Sequence, residues 1–354
     1  MTRTTVIFSP IYFRHNPGRD HPESAKRLSS IITEFKKGQL SRNKNWAMMP
    51  PQKASVKQIE MVHDKKYINY VKRLCKTGGG LLDKGDTRVS RESFEVALHA
   101  AGGAIEAVDQ VMKGQSQNSL ALVRPPGHHA ARFYGLGFCL FNNIAIAACH
   151  LLQDFKLKRI LIIDIDSHHG NGTQSIFYES PKVLYISLHE DPTSFPGTGF
   201  TNEIGEHDGQ GFTVNIPLPL NTGDQIYMKA MKEIIIPIAH QYRPQFILVS
   251  AGLDAHYADP VGRLALSTKC YGSIFETITN VATELCNGRL SLVLEGGYNT
   301  SFIGELAGQA LGRMVGARYL IQNYVPMSSQ KIREKGRTII EEVKKTQRNF
   351  WNVS

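Results

Sequence analysis

Asp164, Asp166 and His168 stand at alternate positions within ILIIDIDSHHGNGTQ, residues 160–174. The apolar run Ile160 to Ile163 reads as a buried strand, and extended geometry carried past its end turns all three polar side chains to one side. Two carboxylates and an imidazole gathered at a strand end must be hydrogen-bonded, paired or metal-bound, because burying them bare is costly. Gly170-Asn171-Gly172 then turns the chain, and Thr173 opens a helix. Asp-x-Asp alone would suit a merely polar strand end. The longer Asp-x-Asp-x-His-His-Gly pattern asks for chemistry.

Arg124-Pro125-Pro126-Gly127-His128-His129-Ala130 sets adjacent histidines in a loop directly after a strand, where the prolines and glycine fix their direction. Later loops add Asp254 and Asp259, then Glu295 and Tyr298. A hydrolytic zinc site needs about three protein ligands with positions open to water and substrate. Asp166, His168 and Asp259 are expected to supply two oxygens and one nitrogen. The histidine pair would act as general base and acid, and the Tyr298 hydroxyl would stabilise an oxyanion. Asp164 and Asn171 would orient His128 and His129 through their second ring nitrogens. A carboxylate partner favours imidazolium and a neutral amide does not. His129 is therefore the better base, and His128 the more readily charged, mainly electrostatic member.

These residues must be presented by a repeated scheme in which apolar strands end in polar loops and helices follow. Val6–Phe8, Ser119–Val123, Ile160–Ile163, Val183–Ser187, Phe246–Ser250 and Leu292–Leu294 read as strands. Ser24–Lys37, Glu92–Met112, Asn142–Phe155, Asp224–Gln241, Ser267–Cys286 and Ser301–Val315 read as helices. Alternation of this kind predicts an α/β fold with an open, mostly parallel sheet flanked by helices. The active site then falls in the loops at the carboxyl ends of the strands. The expected division is one catalytic domain over 1–320 and a basic, helix-prone extension over 321–354 packed on it.

The chain has 354 residues, 42% hydrophobic and 20% charged, ample for one large core. It shows neither an apolar run long enough for a transmembrane helix nor a signal-peptide pattern, so the expectation is a cytoplasmic protein. Five scattered cysteines without Cys-x-x-Cys spacing fit reduced core residues. The formal net charge of +10 suggests acidic partners. No nucleic-acid-binding module accompanies it, which argues against direct nucleic-acid binding.

RPPGHHA, GFCLFNN, DIDSHHGNGTQ, SFPGTG, SAGLDAHYADP and EGGYN resemble, in order, the signature segments of the histone deacetylase superfamily, which shares the arginase-like α/β fold. The resemblance covers about residues 5–318 and is nearest to class II and bacterial deacetylase-like members, with Asn171 fitting that grouping. It implies zinc at Asp166, His168 and Asp259, His128 and His129 as the catalytic pair, and Tyr298 as the transition-state tyrosine. It also implies an acyl-lysine tunnel walled by Phe138 and Phe195, with Leu266 at its rim and the Gly137 carbonyl touching substrate. A structural potassium ion would sit near Asp164, Asp166, His168, Ser187 and Leu188. Iron(II) suits the same donor set as zinc. Arginases hold two manganese ions with Asp-x-His-x-Asp. Here Gly170 stands where their second aspartate would be, which favours a mononuclear site.

Three functions are weighed. The leading one is zinc-dependent removal of acetyl or another short acyl group from lysine in proteins, with histones or other basic proteins as partners. The second is deacetylation of acetylpolyamines or other small N-acyl amines, for which Val261 offers no acid and Asp86 is the one acid to watch in its loop. The third, a catalytically silent acyl-lysine reader, is disfavoured because every metal and catalytic position is filled. His256 is read as a structural or rim residue, and His21, His63 and His189 as loop or core hydrogen-bonders.

Overall fold

Four strands carry mainly apolar runs buried on both faces, β6 (Ile160–Asp164), β7 (Val183–Glu190), β9 (Phe246–Ala251) and β10 (Leu290–Leu294), while β5 (Ser116–Ala121) is polar at its start and exposed at Gln117. Such runs suit the middle of a parallel sheet covered by helices on both sides. With β1 (Thr2–Ile7), β2 (Trp46–Met49) and β8 (Thr213–Leu218) they form one eight-stranded sheet in the order β2-β1-β5-β10-β9-β6-β7-β8. Every pairing in it is parallel. A small antiparallel hairpin joins β3 (Gly79–Leu81) to β4 (Arg88–Ser90). The computed structural model describes residues 2–317, 319, 321 and 324–353, and Leu320, where the domain boundary is expected, lies outside the described residues.

The predicted α/β class and parallel sheet are found, and the sheet is wholly parallel. The expected helix over 92–112 is Ser93–Met112, and its paired glycines let it lie against its neighbours. A Cβ on Gly102 would strike the Gln52 carbonyl, and one on Gly103 would come within 2.7 Å of the Tyr12 hydroxyl and Val123. The stretch read as one helix over 224–241 is α-helical at Asp224–Ala230 and Ile236–Tyr242, with a π-helical turn at Met231–Ile235.

The sheet's two outer strands, β2 and β8, have no counterpart among the sequence-predicted strands. β2 is only half-covered, and β8 carries Asn215 and Pro217. The C-terminal segment covers the β8 side. The Gln347 side-chain amide donates to the Thr213 carbonyl at 3.2 Å, and the Trp351 indole donates to the Gly211 carbonyl at 2.8 Å. Ile340 and Val343, from the helix Gln330–Gln347, join the main core. No helix among the described residues is long and apolar enough to cross a membrane.

Candidate active site

Four adjacent central strands, β5, β10, β9 and β6, deliver the chemistry at their carboxyl ends. The loop after β5 carries His128 and His129. Glu295, just past β10, holds that loop: one of its carboxylate oxygens accepts the backbone N–H of Gly127 at 2.6 Å and of His128 at 3.1 Å. Beneath it Arg124 is fully buried, donating to the Glu23 carboxylate and to the carbonyls of Tyr12, His15 and Glu23. The expected histidine partners are in place. His128 Nδ1 lies 3.1 Å from Asp164 Oδ2, and His129 Nδ1 lies 2.7 Å from Asn171 Oδ1.

The two imidazoles differ as their partners require. Burial would lower His128, but the carboxylates of Asp166 and Asp164 outweigh it and raise its pKa to about 10. Burial pushes His129 well below the ordinary histidine range, and the charge on His128 adds to the effect. His128 is thus the more readily charged ring, and its neighbour, 4.0 Å away between centroids, the one that stays neutral more readily.

Asp166, His168 and Asp254 place one donor atom each within 4.8 Å of one another. His168 Nδ1 lies 3.3 Å from Asp166 Oδ1 and 3.2 Å from Asp254 Oδ2. Asp254 Oδ2 is buried without a hydrogen bond of good geometry, while its other oxygen accepts the Ser167 N–H at 2.8 Å. Burial, then repulsion from Asp166, pushes Asp254 up to about 7. A divalent cation would cancel both carboxylate charges and satisfy the orphaned oxygen, so the donor set fits a metal. Gly252 and Gly296 leave room for it: a Cβ on either would collide with these carboxylates.

The structure groups Asp254, not the Asp259 expected from the sequence, with Asp166 and His168. Asp259 is consumed by backbone. Its Oδ1 accepts from Val261 at 2.9 Å and Gly262 at 3.3 Å, and its Oδ2 from Tyr298 at 2.7 Å and Asn299 at 3.1 Å. A usable signal lay in the distance to the strand end. Asp254 is three residues beyond β9 and Asp166 two beyond β6, whereas Asp259 is eight beyond β9.

Gly137, Phe138 and Phe195 line a cavity of about 240 Å³ that reaches His129, His168 and Tyr298. The Phe195 ring stands edge-on 5.0 Å from His129, and Phe138 edge-on 5.6 Å from Tyr298. His21, read as a loop residue, packs 4.6 Å from Phe138. Leu266 is not at the rim. The chain doubles back after Asp259-Pro260, leaving Leu266 fully buried and paired with Ala255 and Tyr257, while Val261 and Arg263 face the cavity. Sequence reasoning assigned no role to Arg263 or to Glu190, which also lines it. His256 is structural, with Nε2 3.2 Å from Thr268 Oγ1 and its ring against Phe302. Asp164 and Ser187 are register partners across β6 and β7, with Leu188 next in line, and Ser187 Oγ lies 2.8 Å from His189 Nδ1.

Residues 21–314 match the histone deacetylase domain model. The chain is 38% identical over 358 residues to a probable deacetylase of Archaeoglobus fulgidus, covering 98% of each. It is 35% identical to the histone deacetylase-like amidohydrolase of Pseudomonas aeruginosa, over 86% of this chain and 78% of the other. It is also similar to the crystal structure of the HDA15 HD domain, with a TM-score of 0.88 and 31% identity over 99% of this chain and 95% of that one.

Proposed function

The chain belongs to the histone deacetylase family of deacetylases and amidohydrolases, and we propose that within it the substrate is acetyl-lysine, or another short-chain acyl-lysine, in proteins. The observation that carries this reading is the cavity of about 240 Å³ in which Phe138 and Phe195 stand beside His129, His168 and Tyr298. A lysine's neutral methylene stem suits such walls, and its terminal amide would arrive at the histidine pair.

Family members are generally metal-dependent. Our reading is zinc held by Asp166, His168 and Asp254, iron(II) being the other cation these donors suit, and it would supply Lewis acidity toward the amide carbonyl and water. His129, neutral because it is buried beside a charged neighbour, takes the proton of the attacking water. His128, paired through Nδ1 with Asp164 at 3.1 Å, is the more readily charged ring and adds positive potential near the developing oxyanion. Burial keeps the Tyr298 phenol protonated, so it donates a hydrogen bond to that oxygen. The proton then passes to the lysine nitrogen as the carbon–nitrogen bond breaks, giving a carboxylate and a free amine. A structural potassium ion by Asp164, Asp166, His168, Ser187 and Leu188 belongs to the same reading. Five free cysteines support a reducing, cytoplasmic setting.

The test is a matched panel of acetyl-lysine peptides, longer acyl-lysines and acetylpolyamines, run on wild type, Tyr298→Phe and His129→Ala with zinc content determined on each. Peptide turnover that falls by roughly 10²–10³ in both variants with zinc retained is the expected result. Faster turnover of acetylpolyamines would transfer the enzyme to small amines, and no turnover by zinc-loaded wild type would overturn the reading.

A further inference from the structure

Arg263 reaches the catalytic cavity by a route that fixes its guanidinium before any substrate arrives. Glu190, whose side chain is 1% exposed, accepts from Arg263 Nε at 2.8 Å, the Arg263 backbone N–H at 2.6 Å and the Ser167 hydroxyl at 2.9 Å. Three donors keep that buried carboxylate satisfied and pin the arginine from one side. An apolar residue in place of Ser167 would remove one of them.

The other side of the arginine is unused. Its side chain is 43% exposed, and the N–H groups on its two Nη atoms have no partner among the described residues. A planar fork held by Nε, its Nη atoms free of partners among the described residues, on a residue that lines a cavity of about 240 Å³, is a preorganised receptor for a carboxylate. Glu190 cancels most of the distant field of Arg263, so discrimination rests on short-range hydrogen bonds more than on long-range attraction. Asp86 lines the same cavity, and its side chain has no hydrogen-bond partner among the described residues. It repels an anion on its own side, so a carboxylate is accepted only toward Arg263.

We infer that Arg263 is a specificity-determining residue that selects substrates carrying a carboxylate beside the acylated amine. This inference rests on the acyl-lysine hydrolase reading. The carboxylate could come from the α-carboxyl group of a free Nε-acyl-lysine or from an acidic residue next to acyl-lysine in a peptide. The chemistry at Arg263 is the same for both.

The test compares free Nε-acetyl-lysine with its α-amide, and acetyl-lysine peptides flanked by Glu with the same peptides flanked by Gln. Each is measured as kcat/KM with zinc-loaded wild type, Arg263→Gln and Arg263→Lys, and the labelled peptides also by fluorescence anisotropy for Kd. Wild type should favour the carboxylate member of at least one pair about tenfold, through KM more than kcat. Arg263→Gln should bring the ratio to about one and Arg263→Lys should keep part of it. Which pair responds identifies the source of the carboxylate. A wild-type ratio near one in both pairs, or a ratio that survives in Arg263→Gln, overturns the inference. Absence of turnover on every substrate would count against the hydrolase reading alone, because Kd, read for the peptides directly and for free acetyl-lysine and its amide by displacement of a labelled peptide, still decides the role of Arg263 in both pairs.

Discussion

Asp259 Oδ2 accepts the backbone N–H of Tyr298 at 2.7 Å, tying the turn after β9 to the tyrosine that closes the catalytic cavity. The carboxylate read from sequence as a metal ligand is therefore a fastening for Tyr298. Asp254, buried and lacking a partner at Oδ2, has the ligand's environment.

The two aspartates should separate in one experiment. Asp254→Ala is expected to lose bound metal and all turnover. Asp259→Ala should keep metal while kcat falls about 10–100-fold, because the Tyr298 backbone loses its anchor and a displacement of about 1 Å carries such a cost. Metal analysis of the dialysed proteins beside kcat distinguishes them. Metal loss in Asp259→Ala with retention in Asp254→Ala would reverse the assignment.

Burial keeps His129 neutral, and the uncharged amide of Asn171 is too weak a partner to reverse it. His129 Nδ1 meets an amide oxygen at 2.7 Å where His128 meets a carboxylate, and the two rings shift in opposite directions. Asn171→Asp would place an anion on His129 and raise its pKa, so protonation would remove the base at a higher pH than in wild type. The acid limb of the kcat/KM profile should move upward by about one unit or more. An unmoved limb would show that His129 is not the group titrating there.

How much of this was legible depended on what each segment had to bury. β6, β9 and β10 are apolar on both faces, so their runs stood out, and the site residues follow within a few positions of their ends. The two outer strands β2 and β8 carry weaker patterns, because each has a neighbouring strand on one side only. Asp259 misled because its Asp-Pro turn looks as chemically pointed as Asp254, and only the backbone path shows four N–H groups converging on it. Leu266 was misplaced for the same reason, since a reversal of the chain leaves no periodic mark. The Glu190–Arg263 pair joins residues 73 positions apart, beyond the reach of local patterns.

Gly296 should be as intolerant of change as the ligands themselves. A Cβ there would meet Asp254 Oδ2 and come within 2.6 Å of Asp166 Oδ2, while the Gly296 N–H donates to Asp166 Oδ2 at 2.8 Å. Gly296→Ala is predicted to weaken metal affinity at least about tenfold, since neighbours that orient metal ligands carry effects of this size. A metal-competition titration measures it. Wild-type affinity in the variant would mean that the loop gives way at no cost.

The stability that His63 contributes, away from Asp166, His168 and Asp254, should be lost in mild acid. The ring is buried, with Nδ1 2.9 Å from the Ala131 carbonyl, and its Nε2 accepts the Asn142 N–H at 2.8 Å. Only the neutral ring can accept there, and burial lowers its pKa to about 4 against roughly 6.5 in the unfolded chain. The unfolded state therefore binds the proton more readily. The contribution of His63 is complete above pH about 6.5 and is lost as the pH falls toward 4, by about 3 kcal/mol at most. His15, also lowered to about 4, acts in the same sense, whereas Glu23, held near 2, contributes only at lower pH. Asn142 caps the helix Asn143–Gln153 and donates to the Ala130 carbonyl beside His129, so the loosening should spread to the catalytic loop. Urea midpoints of metal-free protein from pH 7.5 to 4.5, for wild type and His63→Gln, test this without interference from metal loss. The wild-type midpoint should fall relative to that of His63→Gln as the pH drops, and parallel curves would remove His63 from the account.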